Sequence, residues 1–155
     1  MRVWRIATTT HLAFDGEGAR LHGSRWTPRG LAAIYASGTL SLAALEQFVH
    51  TDPDLEPGDL VAIEIEIGSD VAIHTIDISE LPHRWREFPA PEALARIGES
   101  WLRESRTAVL SIPSVVIPHE RNFALNPKHP DFAKLAISRP EPFSFDPRMW
   151  KRSQR

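Results

Sequence analysis

The sequence predicts an α+β fold, because its strand-like and helix-like segments do not alternate strictly as they do around a parallel sheet. Residues 60–67, LVAIEIEI, give the clearest strand pattern, with apolar side chains alternating with two glutamates. The helical patterns over residues 39–50 and 91–105 are short. Thirteen prolines and eight glycines also predict many short elements with sharp ends.

The composition predicts one domain and excludes several classes of site. A chain of 155 residues can bury a core, so we expect a single domain over residues 1–155. The net charge of −2 offers no basic footprint for direct nucleic-acid binding. The lack of cysteine excludes disulfides, thiol nucleophiles and thiolate metal ligands, and no other metal-ligand spacing stands out. No leader pattern and no apolar run of roughly 20 residues occur, so we expect a cytoplasmic protein without membrane association.

The first part of the chain contains two predicted strands separated by glycine-rich loops. Residues 3–7 predict the first strand, with Arg5 on the face opposite to its apolar neighbours. Residues 15–20 predict a loop with two glycines, which lacks the third glycine and the following helix of a dinucleotide-binding fingerprint. Residues 31–37 predict the second strand.

The helix predicted over residues 39–50 carries a carboxylate on its apolar stripe. Leu42, Leu45 and Val49 form that stripe, and Glu46 lies four residues after the first and three before the last. A carboxylate that faces a core costs free energy unless a partner pairs with it, and an arginine and a tyrosine occur just upstream. Two interpretations stay open: a functional carboxylate with such a partner, or an ordinary glutamate whose carboxylate reaches water.

The middle of the chain predicts a hairpin and a second helix. The turn Gly68-Ser69-Asp70 suits a hairpin that joins the strand at residues 60–67 to another at residues 71–78. The helix over residues 91–105 begins with a proline, which favours the first turn of a helix.

The C-terminal third predicts two strands and an edge segment. The apolar run over residues 108–117 is interrupted by a Pro-Ser pair, which predicts a bulge or an edge position. Such a bulge either aims Ser114 into a site or leaves the serine bonded to backbone. Residues 121–127 predict a strand leading into an Asn-Pro turn. We expect the proline-rich residues 140–147 to wrap a sheet edge and the basic tail from about residue 149 to be frayed.

Seven short motifs occur in an order and spacing that is specific to one family. They are Gly23-Ser24-Arg25-Trp26, Tyr35-Ala36-Ser37, Leu45-Glu46, Ile112-Pro113-Ser114, Asn122, Asn126-Pro127 and Phe145-Asp146-Pro147-Arg148. Together they resemble the RES-domain family, toxins of bacterial toxin–antitoxin pairs named for an arginine, a glutamate and a serine. The resemblance covers nearly the whole chain and maps these three residues to Arg25, Glu46 and Ser114. One departure is Thr27, where asparagine is common.

The resemblance implies a fold similar to that of ADP-ribosyltransferases such as diphtheria toxin, with a split, mostly antiparallel β core and small helices. It implies NAD as a substrate, with no cofactor, and breakage of the nicotinamide–ribose bond with water or phosphate as the acceptor. Depletion of cellular NAD then arrests growth. The resemblance also implies a cognate antitoxin with a helix-turn-helix domain that blocks the NAD cleft, in a complex that holds a toxin homodimer.

The resemblance further assigns roles to individual residues. Arg25 grips the pyrophosphate through its planar guanidinium, and Tyr35 stacks on the nicotinamide ring. Glu46 holds the ribose hydroxyls and stabilises an oxocarbenium-like transition state. Nicotinamide leaves as a neutral molecule, so one carboxylate suffices where glycosidases use two. Ser114 hydrogen-bonds either the nicotinamide amide or Glu46. Further candidate substrate contacts are Trp26, Asn122, Arg5 and Arg20.

Three functions remain open at this point. The first is a toxin that degrades NAD, and the second is a mono-ADP-ribosyltransferase that modifies a cellular protein. The third is a non-catalytic binding module in which Arg25, Glu46 and Ser114 are structural.

Overall fold

The computed structural model describes residues 1–52 and 54–150, which form an α+β fold around one eight-stranded sheet, as predicted. The strands are β1 (Arg2–Thr8), β2 (Ile34–Ser37), β3 (Leu60–Glu66), β4 (Ile73–Thr75), β5 (Val109–Pro113), β6 (Arg121–Leu125), β7 (Ala136–Ile137) and β8 (Glu141–Phe143). The α-helices are α1 (Glu17–His22), α2 (Leu40–Val49) and α3 (Glu92–Glu104), and short 3₁₀ turns span Ile78–Glu80, Pro130–Lys134 and Pro147–Met149.

The sheet is mostly antiparallel and is divided between β1 and β2. Its strand order is β4-β5-β6-β2-β1-β3-β7, with β8 also paired to β3, and only β4 and β5 run parallel among the described strands. The whole of β1 pairs with β3, whereas β1 and β2 share a single facing pair, Trp4 and Ser37. We call this narrow junction the seam.

Two buried clusters cover the two faces of the sheet, because successive strand residues such as Val109 and Leu110 belong to different clusters. One contains Val3 and Ile65, and the other contains Trp26 and Trp101 with residues of β5 and β6. Helix α3 lies so close to the second cluster that a Cβ atom added at Gly98 would stand 1.7 Å from the Trp26 carbonyl oxygen. Glycine at this position therefore lets α3 press against the loop that carries Trp26.

Helix α2 begins as predicted but buries a different face. The Thr39 side chain caps it by accepting a hydrogen bond from the Leu42 amide at 3.0 Å. The predicted stripe is wrong at its end, because Val49 is 54% exposed while Ala43 is buried. Phe48 instead packs on a small aromatic cluster, so the helix is rotated from the expected orientation. Glu46 is half-buried at the border of the buried face.

The predicted loop over residues 15–20 is wrong in part, because helix α1 begins at Glu17. The Asp15 carboxylate accepts a hydrogen bond from the Glu17 amide at 3.0 Å, and Gly16 adopts a left-handed backbone with φ of 72°. Arg20 and Glu17 form an ion pair one turn apart. Local hydrogen bonds thus nucleate a turn of helix that has no buried residue and hence no apolar pattern.

The predicted hairpin after β3 is also wrong. Residues 68–71 form a turn, but β4 pairs in parallel with β5 at the other end of the sheet. Val71 is buried in the first cluster and Ile76 in the second, so the segment that contains β4 passes from one cluster to the other. A turn sequence could not reveal this choice, because it fixes the local bend and not the later partner.

Some predictions for the C-terminal third are confirmed and others are wrong. Strand β5 lies between β4 and β6 and ends at Pro113, so the expected bulge or edge position is wrong. Strand β6 and the covering of the β3 edge by β8 are confirmed. The predicted frayed tail is wrong at residues 149 and 150, because Trp150 is buried against Phe145. Residues 151–155 lie outside the described part of the chain.

Candidate functional site

A cleft of about 700 Å³ lies over the seam. Residues 4–8 of β1 and 35–37 of β2 both line it, and these strand segments pair only at Trp4 and Ser37. Because the strands do not pair beyond that point, the space between them stays open. The cleft is closed on other sides by α2 and by three loops, which contribute Ala43, Glu46, Gln47, His50, Gly23, Ser24, Arg25, Trp26, Phe88, Ala90 and Val115.

The Glu46 carboxylate is held by two hydrogen bonds at the wall of this cleft. Its Oε1 accepts from the Ser114 hydroxyl at 2.8 Å and from the Asn122 amide at 2.5 Å. Asn122 is itself oriented by the Ser37 hydroxyl, which donates to its Oδ1 at 2.7 Å. Within residues 1–52 and 54–150, Oε2 has no hydrogen-bond partner. The carboxylate is therefore fixed by one oxygen and presents the other to the cleft.

Ser114 supports the carboxylate from a buried turn. Its side chain is 0% exposed, and its Oγ accepts from the amides of Val116 and Ile117 at 3.1 and 2.9 Å. Because this oxygen already accepts two hydrogen bonds, the hydroxyl proton of Ser114 is donated to Glu46. Of the two roles predicted for Ser114, the structure supports positioning of Glu46, because a fully buried hydroxyl cannot reach a substrate amide directly.

Arg25 lies in the cleft with one side of its guanidinium occupied. Its Nη1 donates to the carbonyls of Trp85 and Glu87 at 3.0 and 2.9 Å. Burial lowers the pKa of Arg25 from its ordinary value, and the negative charge of nearby Glu46 opposes that shift. The edge formed by Nε and Nη2 makes no hydrogen bond to the described residues, so it can grip an oxyanion in a bidentate manner.

Arg5 is a second cation of the cleft, on the β1 side of the seam. Its Nη1 lies 3.4 Å from the Tyr35 carbonyl across the seam, and its guanidinium carbon lies 5.8 Å from the centre of the Phe14 ring. Burial lowers its pKa, with a smaller opposing effect from Asp15. Among the described residues neither Arg5 nor Arg25 forms an ion pair with a carboxylate.

The Tyr35 hydroxyl is held by two residues of the loop between α1 and β2. Its hydroxyl hydrogen-bonds the Ser24 and Thr27 hydroxyls at 2.7 and 3.0 Å. Burial raises its pKa to about 12, against a smaller lowering by these hydrogen bonds. The phenol is therefore neutral at physiological pH, and its ring is half-buried in the wall of the cleft.

The remaining predicted residues divide into two groups. Trp26 lines the cleft, although most of its ring is buried in the core. Arg20 is not among the cleft residues and pairs with Glu17 on the exposed face of α1. Six of the eight predicted residues therefore line the cleft, namely Arg5, Arg25, Trp26, Tyr35, Glu46 and Asn122, and Ser114 contacts Glu46 from behind the wall.

Sequence reasoning missed several residues that shape the site. Ser37, Ser24 and Thr27 orient Asn122 and Tyr35 through their hydroxyls. All three lie within the quoted motifs or directly beside them, but a hydroxyl that bonds a distant side chain leaves no periodic pattern. Phe88 was missed because an exposed phenylalanine in a proline-rich loop looks like any surface residue.

The described residues offer neither a metal site nor a membrane-spanning helix. No group of three or more histidine, aspartate or glutamate side chains there is arranged to hold a metal ion. In that part of the chain, no helix has the length and apolarity needed to cross a membrane.

This chain is similar to a known protein family and to named members of it. A family model described as the RES domain matches residues 2–146. The chain is 35% identical over 156 residues to the Prs ADP-ribosylating toxin of Sphingobium sp. (strain YBL2), covering 97% of each protein. It is 37% identical over 152 residues to Toxin Res of Yersinia enterocolitica, covering 96% of this chain and 99% of that protein.

The fold is also similar to a solved structure of a toxin–antitoxin complex. A chain of the M. tuberculosis MbcT–MbcA crystal structure superposes with a TM-score of 0.74 and 15% identity, covering 97% of this chain and 86% of that chain. At this identity the likeness concerns the fold alone. The family model spans nearly the whole chain and the relatives match from end to end, so this protein belongs to the RES domain family.

Proposed function

We propose that this protein is the toxin of a toxin–antitoxin pair and that it breaks the nicotinamide–ribose bond of NAD. The observation that carries the proposal is the Glu46 carboxylate, which Ser114 and Asn122 fix at one oxygen. The same cleft contains Arg5 and Arg25, which have no carboxylate partner in the part of the chain that the structure describes. Relatives named Toxin Res and a similar fold in a toxin–antitoxin complex support the toxin role.

The charges of the cleft suit a dinucleotide. A volume of about 700 Å³ lies within the roughly 300–1,000 Å³ of pockets that enclose small molecules. Arg25 and Arg5 supply positive charge for a pyrophosphate, and Arg25 keeps the edge of its guanidinium that can bind two oxygens at once. Tyr35 offers a neutral aromatic face for the nicotinamide ring.

The chemistry requires no acid group. When the bond between ribose C1′ and the pyridinium nitrogen breaks, its electron pair goes to the nitrogen and neutral nicotinamide leaves. The positive charge that develops on the ribose is stabilised by the Glu46 carboxylate, whose free Oε2 can also bind a ribose hydroxyl. Water that adds to this carbon loses a proton to solvent and gives ADP-ribose. Phosphate that adds to the same carbon gives ADP-ribose phosphorylated at that position.

A second candidate function differs only in the acceptor. The 35% identical relative is named an ADP-ribosylating toxin, which favours transfer of ADP-ribose to a cellular protein. In that reaction a side-chain nucleophile of the target protein attacks C1′ and loses its proton. The same roles of Arg25, Tyr35 and Glu46 would apply.

One experiment separates these functions. Purified protein is incubated with NAD in the presence and absence of phosphate. In a second reaction it is incubated with a bacterial lysate to which labelled NAD has been added. Nicotinamide release without labelled protein supports NAD degradation, and dependence on phosphate identifies the acceptor. A labelled protein band supports the second candidate. If neither product forms and Glu46→Gln arrests growth as well as the wild type, the chain is a binding module and the proposal is wrong.

The proposed toxin also requires a partner and a compartment. We infer a cognate antitoxin with a helix-turn-helix domain that covers the cleft, bound to a toxin homodimer in the cytoplasm where NAD is available. Co-expression with the product of the neighbouring gene tests this. A complex that suppresses nicotinamide release and contains two toxin chains is the expected result, and a monomeric toxin that never co-purifies with that product contradicts it.

A further inference from the structure

Phe88 is an aromatic side chain that the described fold leaves in water at the wall of the cleft. It is 91% exposed, whereas the next most exposed large hydrophobic side chain in the described residues, Leu55, reaches 65%. A phenylalanine ring held in water forgoes a large burial that a ligand can supply. Phe88 is also one of the residues that line the cleft, so a ligand bound there can cover the ring.

The backbone that carries Phe88 is held from two sides. On one side Arg25 donates to the Trp85 and Glu87 carbonyls, and the Trp85 side chain is buried in the core. On the other side the Arg86 Nε donates to the Val115 carbonyl at 3.1 Å, one residue after Ser114. The exposed ring therefore projects from a fixed segment, so a ligand that covers it orders little additional chain on binding.

We propose that Phe88 stacks on the adenine base of the dinucleotide and so sets the affinity of the cleft for the adenosine half. This inference rests on the proposed function and extends it to the end of the substrate that does not react. Tyr35 already provides the face for nicotinamide, and the cation assigned to the pyrophosphate, Arg25, is the same residue that holds the Phe88 segment. In NAD, adenine lies on the far side of the pyrophosphate from the ribose that reacts.

The test measures binding apart from catalysis. Calorimetric titration of ADP, which contains adenine and the diphosphate, is compared between wild type and Phe88→Ala. Loss of one base–aromatic stack is expected to weaken ADP binding about tenfold, whereas Phe88→Trp retains it. Nicotinamide mononucleotide, which lacks adenine, is expected to bind equally to wild type and Phe88→Ala.

The controls separate this inference from the proposed function. Ile78→Ala, which shortens another exposed apolar side chain at 44% exposure, should leave ADP binding unchanged. The melting temperature of Phe88→Ala should equal that of the wild type, because the ring is not part of the core. If the wild type releases nicotinamide but binds ADP equally with and without Phe88, the inference fails and the proposed function stands. Equal weakening of nicotinamide mononucleotide, or no ADP binding by the wild type, also overturns the adenine assignment.

Discussion

Replacing Glu46 by glutamine removes the charge of the carboxylate while keeping its hydrogen bonds. Both protein donors, from Ser114 and Asn122, point at Oε1. A glutamine oxygen can occupy that position and accept both, while its amide nitrogen faces the cleft where Oε2 now lies. Glu46→Gln should therefore fold with an unfolding free energy within about 1 kcal/mol of the wild type.

The expected loss of activity follows from the charge alone. A carboxylate about 4 Å from a unit positive charge contributes about 4 kcal/mol at an effective dielectric constant of about 20. If that interaction is made only in the transition state, its loss lowers kcat roughly 10³-fold. Nicotinamide release measures the rate, and urea unfolding followed by tryptophan fluorescence measures stability.

Glu46→Ala provides the contrast. Alanine leaves the Ser114 hydroxyl and the Asn122 amide without their acceptor, at a cost of about 1–3 kcal/mol for the buried hydroxyl and less for the half-buried amide. We therefore expect Glu46→Ala to be both inactive and less stable, and Glu46→Gln to be inactive only. The reasoning is refuted if Glu46→Gln keeps more than about a tenth of the wild-type kcat, because the charge would then have no large role in the reaction.

Three further predictions concern other residues of the candidate site. Arg25→Lys keeps the positive charge but loses bidentate geometry, so KM for NAD should rise roughly tenfold with a smaller change in kcat; an unchanged KM would remove Arg25 from the pyrophosphate site. Ser114→Ala removes a hydrogen bond to the Glu46 carboxylate, and such a bond to a charged group contributes about 1.5–3 kcal/mol. Since the carboxylate is then less firmly held, kcat should fall at least tenfold. A normal kcat at reduced stability would make the serine purely structural. Tyr35 is the only tyrosine, so tyrosinate absorbance reports its pKa of about 12 directly. Since this pKa is raised above the unfolded value near 10, stability is complete below about pH 10 and falls as pH rises towards 12, and Tyr35→Phe should abolish that part of the fall.

Local patterns predicted those parts of the fold that depend on local physics. The strand β3 and the helices α2 and α3 all follow from spacing and side-chain type, and the structure confirms them. The partner of β4 could not be predicted, because it depends on which cluster buries Val71 and Ile76. Strand pairing between distant segments is a property of the whole core and is absent from any one turn.

The candidate site was predicted better by resemblance than by periodicity. The helical pattern placed Glu46 on an apolar stripe and predicted that it needs a partner, which is correct in principle, but it offered an upstream arginine or tyrosine. The observed hydrogen-bond donors are Ser114 and Asn122, 68 and 76 residues further along the chain. Neither pattern nor spacing links residues so far apart, whereas the order of family motifs does.

The opening of the cleft and the position of its carboxylate have one structural origin. Ser37 forms the only pair that joins β1 to β2, and beyond it the strands leave the space that the cleft occupies. At that same position Ser37 faces Asn122 on β6, and its hydroxyl orients the amide that binds Glu46. Asn122 also faces Ile112 of β5, two residues before Ser114. The carboxylate is thus fixed by the strands that frame the cleft, so a shift of β2 that widened the seam would also misplace the charge that the proposed reaction requires.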